Sequence, residues 1–188
     1  MTTVQPTGPV TRRITADEWR MMFETGVFGP DERLELIDGE VIAMAADGDP
    51  HVAAVMALTE QLSLQLRRRA WVSVQSTMWL SADSVPEPDL VVVRRSARRA
   101  PRPEDALLVI EVALSSLTFD RNRKLSLYAQ AGVPEFWLVD LVASRVEVYR
   151  RPAGSAYLSL ETFDREASLV PAAFPDIAIA VDEILLPD

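Results

Sequence analysis

Three residues of this 188-residue chain have the side chains that metal-assisted hydrolysis needs. Asp89 opens the apolar segment DLVVV, and Glu111 is the one charge within the apolar run LLVIEVAL. Lys124 follows thirteen residues later and is the single lysine among nineteen Lys and Arg residues. Carboxylates are the hard oxygen ligands that Mg²⁺ prefers, and a compact ammonium can orient a water or offset a developing charge. Together the three side chains predict a metal-dependent hydrolytic site.

Each of these residues also has a purely structural interpretation. Burying a lone carboxylate is costly unless it is paired, so Glu111 could form a salt bridge with an arginine, or its strand could end sooner. Asp89, directly after Pro88, has the position of a cap or turn residue. Lys124 lies four residues after Asp120, which is the spacing of an ordinary ion pair along a helix. The sequence leaves open which carboxylate the ammonium faces.

Two predicted strands must bring the carboxylates together. The segment LLVIEVAL is apolar on both faces, which is typical of a central strand covered on both sides. Period two places Glu111 on the same face as Val109 and Ala113. If DLVVV forms the neighbouring strand, Asp89 and Glu111 converge, and the backbone carbonyl of Val112 could complete the ligands of a metal. We therefore expect these two strands to lie side by side.

A predicted helix must carry the lysine to the same place. This helix begins near Asp120 and runs to Ala131, where Gly132 follows as a C-cap. If Tyr128 and Ala131 belong to its buried stripe, Lys124 faces inward. A buried ammonium requires a carboxylate partner, so the helix should pack over the acidic strand ends.

The remaining elements complete an α/β arrangement around one mixed sheet. A helix begins at Thr15 with the capping box TADE and ends near Gly26, and a hairpin turns at Asp38-Gly39. A long helix follows, with Asp49 as its N-cap and a proline next to it. Further predicted strands are WVSVQS, TMWLSA, the paired EFWLVD and RVEVYRR, and a short pair after Ala156.

Composition indicates one globular domain that does not span a membrane. The chain is 48% hydrophobic and 25% charged, which is typical of globular proteins, and it has no apolar run of the roughly 18 residues that a membrane helix needs. It has no cysteine and no pattern of a signal peptide, so we expect a cytoplasmic location. We expect a mobile arm at 1–13, a domain at 14–160, and an acidic extension at 161–188 packed on or trailing that domain.

The net charge of -9 argues against a nucleic-acid partner, but the distribution of charge weakens that objection. From Glu161 onward seven acids stand against one base, Arg165, so most of the excess lies in the tail. Arginines cluster at 67–69, at 94–102 and around Lys124. These clusters could be solvated faces or could hold a phosphate backbone.

These motifs resemble those of a known family. The segments PDLVVV and LLVIEVALSSLTFDRNRKLSLYAQAGVPEFWLVD, together with RLELIDGEVIAM and the helix that carries His51, are similar to the Uma family of restriction endonucleases, in the PD-(D/E)XK nuclease superfamily. The resemblance covers roughly residues 14 to 150. It implies a restriction-endonuclease-like core, a mixed central sheet flanked by helices, and DNA as substrate. It also implies Asp89 and Glu111 as ligands of Mg²⁺, for which Mn²⁺ can substitute.

The resemblance also assigns the lysine. The superfamily normally places it two residues after the second acid, a position that Ala113 holds here, so the role passes to Lys124. Glu40, after the hairpin turn, could be a third ligand or merely a strand's outward face. His51 could be an exposed polar residue or could touch the substrate phosphate. Asp120 remains the rival partner of the lysine.

The sequence therefore predicts a Mg²⁺-dependent endodeoxyribonuclease. The alternative is a non-catalytic module of the nuclease fold that binds DNA or a protein partner, because so negative a surface binds DNA weakly unless the tail lies away from the site. Cleavage of both strands commonly needs two sites, so a homodimer is a further hypothesis. Its face would be the hairpin EFWLVDLVASRVEVYRR with exposed Trp or Phe side chains.

Overall fold

The computed structural model describes residues 10–46 and 48–185. Its helices are α1 (Ala16–Glu24), α2 (Asp49–Leu66), α3 (Leu117–Phe119), α4 (Leu125–Gln130) and α5 (Val181–Ile184), and a π-helical turn (Asp120–Lys124) joins α3 to α4. Its strands are β1 (Leu34–Ile37), β2 (Glu40–Ala43), β3 (Ala70–Val74), β4 (Leu90–Arg94), β5 (Ala106–Ala113), β6 (Glu135–Asp140), β7 (Arg145–Ala153), β8 (Ala156–Asp164), β9 (Ser168–Leu169) and β10 (Ile179–Ala180). Most of the predicted N-terminal arm, residues 1–9, lies outside the described residues.

Six strands form a mixed central sheet in the order β3-β4-β5-β6-β7-β8. β5 and β6 are parallel, and the other neighbours are antiparallel. A parallel pair needs a crossover connection, which α3 and α4 provide between β5 and β6. The prediction of a mixed sheet flanked by helices is confirmed, and the strand that follows Asp89 does lie beside the strand that contains Glu111.

Apolar side chains cover both faces of this sheet. On one face, α2 and α5 pack over a core that includes Leu108, Ile110 and Val112 of β5. On the other face, α4 packs over a core that includes Val109 and Ala113. β5 thus has the two buried faces that its unbroken apolar run predicted.

The β1–β2 hairpin forms a separate small sheet that packs on the α4 side. Asp38 and Gly39 have φ of 50° and 74°, and both central residues of a type I′ turn need such left-handed values. A Cβ at Gly39 would lie 2.5 Å from the Cβ of Arg13, so a larger residue would displace the chain. An isolated bridge between Leu36 and Val85 links the hairpin to the segment that precedes β4.

Helix starts were predicted to within a turn. The capping box of α1 is present, with Thr15 and Glu18 bonding each other's backbone amides. The N-cap of α2 is Gly48, one residue before the predicted Asp49, because Gly48 already has the extended backbone of a cap. The helix of Lys124 begins one turn earlier than predicted, at Leu117.

One strand prediction is wrong and another is incomplete. TMWLSA is a loop, because its amides bond to carbonyls of other loops: Met78 donates to Pro86 and Trp79 to Pro101. The segment after Ala156 contains more strand than the predicted short pair: β8 pairs with β7 along its whole length and extends the central sheet, and the short antiparallel pair β9–β10 follows it.

The predicted dimer hairpin does not have the exposed rings on which that hypothesis depended. Phe136 and Trp137 are fully buried, because β6 and β7 are interior strands of the sheet. The acidic C-terminal region contributes to the core, where Leu169, Ile179 and Ile184 pack with α2. Among the described helices, none has the length and apolarity to cross a bilayer.

Candidate active site

Asp89 and Glu111 are brought together by the pairing of β4 with β5. Leu90 pairs with Ile110 in antiparallel register, so the residue before Leu90 lies opposite the residue after Ile110. Period two directs both acidic side chains to the face that α4 covers. Asp89 is 7% exposed and Glu111 is 3% exposed, so both carboxylates need partners.

Asp89 is held by two groups. The backbone N–H of Val112 donates to its Oδ2 at 2.8 Å, and Nε2 of His51 lies 3.1 Å from its Oδ1. His51 stands in the first turn of α2 and is buried, so it is not the exposed residue that the sequence allowed. The contact from Val112 involves its amide, whereas the sequence prediction concerned its carbonyl.

Lys124 answers the question that the sequence left open. Its Nζ lies 3.0 Å from Oε1 of Glu35, 3.1 Å from Oε1 of Glu111 and 3.9 Å from Oδ1 of Asp120. The residue is 2% exposed. The ammonium therefore faces the strand acids more closely than its helical neighbour.

The helix that carries Lys124 is not a regular α-helix. Residues Asp120–Lys124 form a π-helical turn, a rare feature that is frequently found at functional sites. Within it, Asp120 is buried and accepts a hydrogen bond from the hydroxyl of Ser116 at 2.5 Å. The turn thus begins with one buried acid and ends with the buried lysine.

Two further residues belong to this cluster and were missed in the sequence. Glu35 of β1 is buried and bonds Lys124, and the hydroxyl of Tyr128 donates to Oε1 of Glu111 at 2.6 Å. A charge inside the apolar strand LELI is the signal that could have identified Glu35. Tyr128 was expected to be buried, but nothing in its spacing indicated a bond to Glu111.

The cluster concentrates negative charge where burial makes charge costly. Burial raises the pKa of Glu111 well above its ordinary value, and the charge of Lys124 offsets this only in part. Three neighbouring carboxylates raise it further: Asp120, Asp89 and Glu35. Burial alone would lower the pKa of Lys124, but the surrounding carboxylates, Glu111 first, outweigh it and hold that pKa above its ordinary value. The neighbouring acids thus disfavour the charge of Glu111 and stabilise the ammonium of Lys124.

A cavity of about 70 Å³ opens among these side chains. A water occupies roughly 30 Å³ of liquid, so the cavity has room for an ion with a water. Its walls carry five carboxylates, which are Glu35, Glu87, Asp89, Glu111 and Asp120. Such a lining favours a cation.

The donor set fits a hard divalent ion in its chemistry. Oε2 of Glu35 and Oδ1 of Asp120 are buried without a hydrogen-bond partner, although buried polar atoms are generally paired. Carboxylate oxygens of this kind are the ligands that Mg²⁺ and Mn²⁺ take. Across residues 10–46 and 48–185, no three His, Asp or Glu side chains already stand as a ligand group. Binding would therefore involve rotation of carboxylates that now bond protein groups.

Other predicted residues lie outside this cluster. Glu40 is paired with Arg123 at 2.6 Å and does not line the cavity. Arg121 is bound to Glu147 at 2.8 Å. The arginines beside Lys124 thus fasten the helix to β2 and β7.

Comparison with known proteins adds a family and a fold. A family model described as Uma2, putative restriction endonuclease, matches residues 19–182. An uncharacterized protein of Synechocystis sp. is 26% identical over 168 residues, which span 85% of this chain and 93% of that protein. The crystal structure of a putative nuclease belonging to DUF820, from Anabaena variabilis, superposes with a TM-score of 0.74 at 19% identity, and the match covers 92% of this chain and 97% of that one. This last likeness shows a shared fold.

Proposed function

Because this chain belongs to the Uma2 family of putative restriction endonucleases, we propose that it is a Mg²⁺-dependent endodeoxyribonuclease. Asp89 and Glu111 would hold the ion, with the carbonyl of Val112 as a further ligand, and Mn²⁺ would substitute. Lys124 would act on the water that attacks the phosphodiester. Fold, donor chemistry and family all support this reaction class.

The observation that carries the proposal is the 3.1 Å contact between Lys124 and Glu111. Position 113, where the PD-(D/E)XK pattern normally has its lysine, holds an alanine that is fully buried in the core. The π-helical turn between β5 and β6 instead places the ammonium of Lys124 beside the carboxylate of Glu111. In this proposal Asp89 and Glu111 keep their places in the signature, and only the lysine comes from a different part of the chain.

The raised pKa of Lys124 limits what this side chain can do. An ammonium that stays protonated donates hydrogen bonds and offsets negative charge, but it cannot accept a proton from water. In the hydrolysis, the water oxygen bonds to phosphorus and releases a proton to the solvent, the bridging P–O bond breaks, and the leaving oxygen takes up a proton from the solvent. We assign to Lys124 the orientation of that water and the stabilisation of charge on the phosphate oxygens. A bound Mg²⁺ would supply a water of lowered pKa.

His51 and the amide of Val112 have a positioning role in this proposal. Both contact Asp89, one at each carboxylate oxygen. Groups that bond a ligating carboxylate fix its orientation, and their loss commonly weakens metal binding. We therefore infer that they hold Asp89 ready for the ion.

Nicking of supercoiled plasmid DNA with Mg²⁺ or Mn²⁺ tests the proposal. Wild-type protein should convert the plasmid to the open circle, and Glu111→Gln should not. Glu40→Gln is the matched control, because Glu40 is an acid of the adjoining hairpin that lies outside the cavity. Equal cleavage by wild type and Glu111→Gln would refute the assignment. Wild-type protein that neither cleaves nor binds Mg²⁺ would instead favour the non-catalytic module.

A further inference from the structure

One edge of this acidic protein is strongly basic. Residues 67–75 and 90–102 contain eight arginines and no acid, whereas the rest of the chain has eleven Lys and Arg residues against 28 acids. These two segments comprise β3, the adjacent β4 and the loops at their ends. We call them the β3 surface. Because β3 is an outer strand of the central sheet, this surface forms an edge of the molecule.

Most of these arginines form no ion pair with an acid, although Arg67 and Arg102 lie close enough to Asp176 and Glu104 to add to the hydrogen bonds that lower the pKa of those acids. Arg69 pairs with Asp176 at 2.9 Å, and Arg99 pairs with Glu104 at 2.7 Å. The other six arginines have no ion pair with any described residue; they are Arg67, Arg68, Arg94, Arg95, Arg98 and Arg102. All but Arg95 of these six are exposed. Unpaired, exposed arginines at this density are the electrostatic pattern of a polyanion-binding surface.

An exposed tryptophan lies among these arginines. Trp71 of β3 is 45% exposed, and the guanidinium of Arg95 lies over its ring, 3.3 Å from the centroid. This cation–π contact holds the indole against one flat cationic group. The pair forms a platform on which an aromatic ring of a ligand could stack.

The β3 surface lies close to the candidate active site. Trp71 pairs with Val93, and Val93 points into the same core as Val109 of β5, so Trp71 and Glu111 project from the same face of the sheet. Trp71 is three residues from Val74, which pairs with the residue after Asp89. At about 3.4 Å per residue this is roughly 10 Å along the strand, a distance that a few nucleotides span. One nucleic-acid strand could therefore reach both places.

From these contacts we propose that the β3 surface binds single-stranded DNA beside the active site, stacking an unpaired base on Trp71 and holding phosphates with its arginines. The proposal rests on the nuclease function above, since the bound strand would be its substrate. A base inside a duplex is covered on both faces by its neighbours, whereas an unpaired base is free to stack on an aromatic side chain. The surface therefore gives the enzyme a preference for DNA with an unpaired stretch.

Fluorescence anisotropy in EDTA measures this binding without cleavage. The probe is labelled oligo(dT) of about 16 nucleotides, the upper end of common single-strand site sizes, with a labelled duplex of equal length beside it. Trp71→Ala should weaken oligo(dT) binding about tenfold, as loss of a stacked base does. Arg98→Gln, at an arginine that lines the same cleft as Trp71, should lower the slope of log K against log salt by about 0.7. The controls Leu158→Ala and Arg151→Gln remove exposed side chains near the opposite sheet edge and should bind as wild type.

The outcomes separate this proposal from the proposed function. Three results would each overturn the single-strand surface, even if the protein nicks plasmid DNA. They are oligo(dT) binding that Trp71→Ala leaves unchanged, tighter binding of the duplex than of oligo(dT), and displacement of the labelled oligo(dT) by polyglutamate as effective as by unlabelled oligo(dT). Binding that depends on Trp71 in a protein that never cleaves would support the surface and refute the nuclease. Thermal denaturation of each variant shows that it is folded.

Discussion

Nζ of Lys124 lies 3.1 Å from Oε1 of Glu111, whereas Asp120, the acid four residues earlier on the same helix, is 3.9 Å away. The ammonium also bonds Glu35. It is therefore the counter-charge of several buried acids as well as the proposed water-orienting group. These two roles give different experimental signatures.

Replacing Lys124 with methionine should damage both activity and stability. We expect nicking to fall by about 10²–10³-fold, as when one charge-stabilising donor is removed. The free energy of unfolding should fall by about 3–5 kcal/mol at neutral pH, because Glu35 and Glu111 would be left buried without a cation. Urea denaturation measures this loss, which should shrink as the pH falls and Glu111 is protonated. An unchanged midpoint at neutral pH would show that the ammonium does not stabilise the acids.

Glu111→Gln should make stability less dependent on pH. Burial raises the pKa of Glu111 in the folded state. Between the ordinary pKa of glutamate and this raised value, Glu111 therefore keeps its proton in the folded protein but has lost it in the unfolded chain. The wild type therefore loses stability as the pH rises from the ordinary pKa of glutamate through the raised one, and the Gln variant lacks this contribution. Denaturation midpoints from acidic to mildly alkaline pH measure the slope. Above the ordinary pKa of glutamate, Glu40→Gln should keep the wild-type slope, because Arg123 lowers the pKa of Glu40 and its protonation falls below that range. Parallel profiles for all three proteins there would contradict the expectation.

Tyr128→Phe tests the hydrogen bond to Glu111. The hydroxyl lies 2.6 Å from Oε1 of Glu111, so at a pH above the raised pKa of Glu111, where this group is a carboxylate, its removal should cost about 1.5–3 kcal/mol of unfolding free energy, the range for bonds to charged groups. Tyr157→Phe is the control, because that hydroxyl donates to the neutral carbonyl of Val133 at 2.9 Å and should cost about 0.5–1.5 kcal/mol. Nicking should decline only in the first variant. Equal losses of stability would mean that the Glu111 bond has no charged character.

Mg²⁺ should stabilise the wild type and not Asp89→Asn. An ion at about 100 times its Kd that binds only the folded state adds about 2.7 kcal/mol, which for a chain of this size raises Tm by roughly 5–10 °C. Thermal denaturation with Mg²⁺ and then with excess EDTA measures the shift and its reversal. A shift that persists in Asp89→Asn would place the ion elsewhere.

Local patterns predicted the strands and the helix but not every member of the cluster. Glu111 is conspicuous in the sequence because it interrupts an apolar strand. Lys124 is conspicuous because it is the single lysine of the chain. Glu35 went unnoticed because its burial depends on where the β1–β2 hairpin docks, which local patterns do not specify. Glu40 was a candidate for a third metal ligand because it follows the hairpin turn, but it pairs with Arg123 outside the cavity.

The loop TMWLSA shows the same limit. Its apolar alternation is that of a strand, and Met78 and Leu80 are indeed buried. Their amides donate to the carbonyls of Pro86 and Ser84, which lie in the segment after TMWLSA and not in a paired strand. The alternation of apolar residues in TMWLSA therefore predicted correctly which side chains are buried. The hydrogen-bond partners that define a strand, however, are set by the tertiary structure.

The isolated bridge between Leu36 and Val85 has a consequence for how activity is lost. The hairpin that carries Glu35 is not hydrogen-bonded into the six-stranded sheet, and segments with few such bonds open before the whole protein unfolds. We expect the amides of β1 to exchange with deuterium faster than those of β5. On warming, the protein should pass through a native-like form that has an intact sheet but no Glu35 beside Lys124, so inactivation should precede the loss of the circular-dichroism signal.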